Sequence, residues 1–259
     1  MKVLYFDLER GSQTLGSDDN IQTIFGYPVL RPQTWSRFSN IIEQIYTKEE
    51  TKEIKKVGGL EITEESFKVV PKNGTVVDTV ILDTFSELSK KFQRSLTDKD
   101  GTMKLNQWGR LKNKLDSALE FISQIPGIVI LNCHSKTSTT DVGVTRVQPY
   151  IDGSTKEDIS KWFDFVFYTK TIVNSKDDRK YVWVTKRSET YDHAKDRTDT
   201  LPAEMPQDYS TVIKAAKDKG FKNVRILVIG SPGSGKTMSL RTLNKGEKDV
   251  KNTNNKQNK

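Results

Sequence analysis

The chain has 259 residues, 34% hydrophobic and 29% charged, enough apolar material for one sizeable α/β core or two small ones, and a single domain is expected over residues 1–245. Its one cysteine, Cys133, excludes an intrachain disulfide, and no stretch is apolar and long enough to span a membrane, so a reducing cytoplasm is the expected compartment. A net charge of +8 and a pI near 9.3 suit a polyanionic partner, although part of the excess sits in a Lys-rich tail.

Residues 3–8, Val-Leu-Tyr-Phe-Asp-Leu, form an apolar run that fits a buried parallel strand. The run is too short for a signal peptide, and it places Glu9 at a strand's C-terminal end, where open α/β sheets put their ligands. Pro28, Pro32 and the polar stretch from Gly16 to Asn20 read as loop, with a short strand expected near Tyr27 to Leu30. Apolar residues from Trp35 to Tyr46 recur at helical spacing. Charges dominate residues 48–74, which read as an exposed insertion with a hairpin as one form. Thr75 to Asp83 is a second strand, whose Val80-Ile-Leu82 runs directly into Asp83 before a helix opens. After a polar connection from Leu96 to Thr102, a helix is expected over Leu105 to Ile125 and is stopped by Pro126-Gly127.

Ile128 to His134 is another buried strand with polar groups at its end, and the Thr-rich segment Ser135 to Pro149 reads as a mobile loop. Strands over Trp162 to Tyr168 and Tyr181 to Thr185 flank a polar turn at Asn174 to Arg179. His193 to Pro202 is irregular. Residues 203–223, with a short amphipathic helix from Tyr209 to Lys219, link to a last apolar strand, Arg225 to Ile229. Residues 246–259 read as a disordered basic tail.

That last strand is followed by Gly230-Ser231-Pro232-Gly233-Ser234-Gly235-Lys236-Thr237 and then a helix-like stretch from Met238 to Leu243. Strand, glycine loop and helix are the context of a phosphate-binding loop. Glycines let backbone N–H groups approach a triphosphate without Cβ clashes, and the helix adds its N-terminal dipole. Residues 230–238 would therefore hold ATP, with Lys236 on the β- and γ-phosphates and the Thr237 hydroxyl in the shell of a Mg²⁺ ion. The plain alternative is a glycine turn, but a chance match in a chain of this length is on the order of one per cent. Only 22 residues follow Thr237, so any sheet around this loop must be built from residues before it.

Two acids complete the chemistry. Asp83 after Val-Ile-Leu suits a Walker B acid for Mg²⁺, against the plainer role of capping the next helix. Glu9 could orient and deprotonate an attacking water.

These stretches, with Lys195-Asp-Arg-Thr198 and Leu201-Pro202, resemble the RecA-like P-loop ATPases, and most closely the phage Sak-type single-strand recombination ATPases of the fourth Sak group. The resemblance covers most of the chain, though only the glycine loop is specific alone. It implies an α/β fold with a mostly parallel central sheet flanked by helices, and DNA-stimulated hydrolysis of ATP with Mg²⁺. It also assigns roles: Glu9 as catalytic glutamate, Asp83 with Thr237 at the metal, and His134 as the polar sensor on the strand between the Walker strands. Lys195 and Arg197 become the positive groups that a neighbouring subunit offers to the γ-phosphate. The plain alternatives are a strand-end histidine and two loop-solvating cations. The order differs from the family's, in which the glycine-loop strand comes first. Joining Lys259 to Met1 restores it, so the chain reads as a circular permutant with the Walker A strand last.

By the same resemblance, single-stranded DNA would lie along loops at Leu96 to Asn106 and Ser135 to Pro149. Lys99, Lys104, Lys136 and Arg146 are available for phosphates and Trp108 for stacking. A homo-oligomeric ring or filament, a single-strand-binding protein as a further partner, no membrane contact and a host cytoplasm complete the expectation. Two other classes remain, a small-molecule P-loop kinase and a scaffold or loader that binds ATP with little turnover.

Overall fold

The structure, a computed structural model, describes residues 1–139, 141, 143–173 and 178–244. Most of the turn expected at 174–179 and the whole tail expected at 246–259 lie outside the described residues. In chain order the first half comprises β1 (Val3–Asp7), α1 (Asp18–Phe25), α2 (Trp35–Ile45), β2 (Tyr46–Val57), β3 (Leu60–Pro71), β4 (Thr79–Asp83), α3 (Phe85–Leu96) and α4 (Leu105–Gln124). There follow β5 (Ile128–Cys133), β6 (Ser135–Thr139), β7 (Thr145–Pro149), α5 (Thr155–Asp158), β8 (Phe165–Val173) and β9 (Arg179–Val184). The chain then forms β10 (Lys195–Asp196), β11 (Glu204–Pro206), α6 (Tyr209–Asp218), β12 (Val224–Ile229) and α7 (Lys236–Ser239).

The main sheet runs β1-β4-β5-β12-β8-β9-β11, with β10 paired to β8. The pairs β1–β4, β4–β5, β5–β12 and β12–β8 are parallel, whereas β9, β10 and β11 are added antiparallel. This is the mostly parallel α/β sheet expected from continuous apolar runs, since such runs bury both faces. Side chains alternate between two cores, as the period of a strand requires. Leu4, Phe6, Val80, Leu82, Leu227 and Ile229 pack under α2, α3 and α4. Val3, Tyr5, Ile81, Ile226 and Val228 pack under α1 and α6. Arg225, buried at the start of β12, donates to the carbonyls of Ser123 (2.6 Å), Gly127 (2.8 Å) and Ile125, and so ties the last strand to the end of α4.

Three expectations are corrected. Gly16 to Asn20 is not all loop: Ser17 accepts a hydrogen bond from the Asn20 N–H and caps α1, which buries Ile21 and Phe25. Tyr27 to Leu30 forms no strand, and only Leu30 bridges to Phe6. In the segment expected as a mobile loop, Ser135–Thr139 and Thr145–Pro149 pair as two antiparallel strands, β6 and β7, because alternating β-branched residues pair readily even where neither face is deeply buried.

Candidate active site

Parallel strands in register bring their C-terminal ends to one edge of the sheet, where Asp7 lies beside Asp83, Asp83 beside Asn132, and Asn132 beside Val228. The segments that leave this edge converge. One cavity of about 420 Å³ is lined by Glu9, Gly11, Asp83, Thr84, His134, Tyr181, Lys236, Thr237 and the loop residues Pro232 to Gly235. A cavity of similar size between α2, α4 and the foot of β2–β3 is ringed by Lys48, Lys72 and Lys114 over apolar side chains and lacks this set.

Gly230 opens the loop where a side chain cannot fit, since a Cβ would stand 1.7 Å from Thr169 Oγ1. Thr169 instead donates to Ser234 Oγ (2.7 Å), Ser234 donates to Ser231 O (2.6 Å), and Gln207 donates to Ser234 O (3.0 Å). The loop is thus held from β8 and from the segment before α6. Lys236 is 5% exposed, and its Nζ donates to the carbonyls of Gly230 (2.7 Å) and Ser231 (2.9 Å). Burial pulls its ammonium below the usual lysine range, against the opposing charges of Asp83 and Glu9.

Thr237 Oγ1 donates to Asp83 Oδ2 at 2.6 Å, and Tyr5 OH donates to the same oxygen at 3.1 Å. A hydroxyl and a carboxylate at the mouth of a phosphate cradle are hard oxygen donors, which fit Mg²⁺. Among the described residues no group of three or more His, Cys, Asp or Glu side chains is placed to hold a metal ion by itself. A side chain on Gly11 would stand 3.2 Å from Thr237 Oγ1 and 3.6 Å from Asp83 Oδ2, so glycine leaves that position clear.

Glu9 accepts from Thr84 Oγ1 (2.5 Å), and both its oxygens lie close to His134 Nε2 (2.7 and 2.8 Å). Burial acts to raise its carboxyl, but the bonds from His134 and Thr84, with the charge of Lys236, outweigh it and hold the group below the usual carboxylate range. Asp7 went unremarked as a site residue in the sequence, although it too is an acid at a strand end. Its buried carboxylate accepts from the N–H groups of Glu9 (3.3 Å), Gly11 (2.9 Å) and Ser12 (3.2 Å), from the Ser12 hydroxyl, and from Arg31 (3.3 Å). Asp7 therefore shapes the turn that carries Glu9. Arg31, in turn, is anchored by Asp18 at 2.6 Å.

The family described as AAA domain matches residues 1–198 of the 259. The chain belongs to the AAA domain family. AAA domains are P-loop ATPases, so nucleotide binding and hydrolysis are its general activity. No curated protein and no solved structure matches the chain. The family match ends before β12, and the glycine loop of this AAA domain lies outside it.

Not every expected residue reaches this cavity. Lys195 donates to the carbonyls of Ser160 (3.2 Å) and Phe163 (2.6 Å), and Arg197 pairs with Asp164 at 3.0 Å. Both sit at the start of β8, the far edge of the sheet from Lys236. Lys104 pairs with Asp98 at 3.4 Å, and Trp108 on α4 is 37% exposed. Arg146 faces Ser138 across β6–β7, Lys136 lies 5.8 Å from the Tyr150 ring, and exposed Lys99 lies between α3 and α4.

Proposed function

We propose that this AAA domain is a Mg²⁺-dependent ATPase of RecA-like architecture, in circularly permuted order, which acts as a homo-oligomer on single-stranded DNA in phage-type recombination or annealing. The observation that carries the hydrolytic reading is the meeting of Glu9, Asp83, His134, Lys236 and Thr237 in one cavity, from positions up to 228 residues apart.

On this reading Lys236 exchanges the carbonyls of Gly230 and Ser231 for phosphate oxygens. Thr237 and Asp83 would hold Mg²⁺, which would supply positive charge against the charge of the phosphates. Glu9, once released from Thr84 Oγ1, accepts a proton of the attacking water on a carboxylate oxygen. The water oxygen bonds to the γ-phosphorus as the bond to the β–γ bridging oxygen breaks. His134 holds the Glu9 carboxylate in line.

The permuted order is supported by β12, which is last in the chain yet lies between β5 and β8. The trans-acting reading of Lys195 and Arg197 is compatible with their distance from their own loop. For DNA, support comes from the resemblance and from the surface beside His134. Lys90 stands 4.4 Å over the Tyr150 ring, Lys136 stands 5.8 Å from it, and Tyr150 N donates to His134 O at 2.7 Å. A side chain at Gly153 would touch Trp108 at 4.0 Å, which joins the start of α4 to the same surface.

The test is ATP turnover with and without single-stranded DNA, for the natural chain and Glu9→Gln. Stimulation by DNA, with turnover lost and nucleotide binding retained in Glu9→Gln, is the expected result. Turnover that depends on a small acceptor would make the protein a kinase, and binding without turnover would make it a scaffold or loader.

A further inference from the structure

We propose that Tyr181 is the platform on which the base of the nucleotide stacks, and that it selects purines by ring area; this deepens the triphosphatase reading and rests on it. Tyr181 stands on β9 and is 39% exposed, yet it lines the same cavity as Glu9, Asp83, Lys236 and Thr237. The sheet gives that cavity a polarity. On one side of β12 are β5, β4 and β1, whose ends carry His134, Asp83 and Glu9; on the other are β8 and β9. The γ-phosphate has to face Glu9, so the base must leave the loop on the opposite flank, where Tyr181 is.

Gly235 makes this approach possible. It adopts φ +90°, and a Cβ there would fall 3.3 Å from Tyr181 Cβ, 3.2 Å from its Cγ and 2.6 Å from Gln207 Oε1. The tyrosine therefore stands directly against the last turn of the loop. Among the residues that the loop and α7 contribute to the cavity, Pro232, Gly233, Gly235 and Met238 bring no strong side-chain hydrogen-bonding group. Gln207, beside the ring, is tied by its amide N–H to Ser234 O (3.0 Å), and the aromatic face reads a base by overlap, because every base has a π-face and purines have the larger one.

The experiment measures equilibrium binding of ATP, GTP, CTP and inorganic tripolyphosphate, each with Mg²⁺, to the natural chain, Tyr181→Phe and Tyr181→Ala. ATP and GTP should bind the natural chain within about threefold of each other, with CTP about tenfold weaker. Tyr181→Phe should stay within about twofold, and Tyr181→Ala should lose about tenfold for ATP and GTP with tripolyphosphate unchanged. Equal losses for nucleotides and tripolyphosphate would show that the ring only props the loop, and would overturn the proposal. A strong preference for ATP over GTP that survives in Tyr181→Ala would overturn it as well. Should the natural chain bind neither nucleotide nor tripolyphosphate, the phosphate-loop reading falls and the platform with it.

Discussion

Asp83 is 3% exposed, and burial pushes its carboxyl above the usual carboxylate range despite the hydrogen bond from Thr237. A group whose pKa is raised on folding stabilises the fold fully below its unfolded pKa, and that contribution is lost as pH rises through the folded value. At neutral pH the buried Asp83 carboxyl is thus a cost to the fold. Asp83→Asn is expected to raise the Tm in metal-free buffer near neutrality, by about 2–4 °C for each kcal/mol relieved, and to abolish Mg²⁺-dependent nucleotide binding. The gain should shrink as pH falls into the ordinary carboxylate range. A lowered Tm at neutral pH would mean that Asp83 is chiefly a structural acceptor for Thr237 and Tyr5. The identity of Asp83 as a strand-end acid was legible in the sequence, since the apolar run before it is unbroken. The part played by Asp7 was not, because what distinguishes the two acids is which backbone N–H groups fold back onto each.

The hairpin β2–β3 shows how an element can be ordered without being part of the core. Its twelve registered pairs run from Tyr46 with Pro71 to Val57 with Leu60, closed by Gly58 and Gly59 at φ +57° and +85°, which suits a two-residue primed turn. Tyr46 and Val69 at the foot are buried, whereas nearly every side chain beyond Thr51 on β2 is exposed. The ion pairs along the ribbon, Lys52 with Glu65 at 2.6 Å among them, are exposed and contribute little. Replacing residues 52–65 with an Asn-Gly turn between Thr51 and Ser66 should leave the Tm within about 3 °C, a shift that corresponds to about 1 kcal/mol, and nucleotide affinity unchanged. A larger loss in calorimetry would show that the ribbon braces the core. Charge density marked this segment as an exposed insertion. By contrast α1 was missed, since eight residues with a polar first turn give the helical period little to act on, and Ser17 signals a cap only once Ile21 and Phe25 have a sheet to pack against.

At the scale of the molecule, β12 completes the sheet. It is buried along its whole length and pairs with β5 on one side and β8 on the other. A fragment of residues 1–198, the span of the family match, would leave those two strands with unpaired backbone groups in an apolar interior. Such a fragment is expected to bind a hydrophobic dye and to unfold without a cooperative transition, as followed by fluorescence and circular dichroism. Cooperative unfolding near the Tm of the whole chain would mean that β5 and β8 close up without β12.

The sequence by itself determined the apolar strands, the glycine loop with Lys236 and Thr237, and the acids that end their strands, because these depend on neighbours a few residues away. Tertiary structure alone decided that the last strand enters the middle of the sheet, that His134 meets Glu9 across 125 positions, and that Tyr181 joins the same cavity. Those outcomes depend on the register of distant strands, which is set by two buried faces packing at once and leaves no trace in any short stretch of the chain.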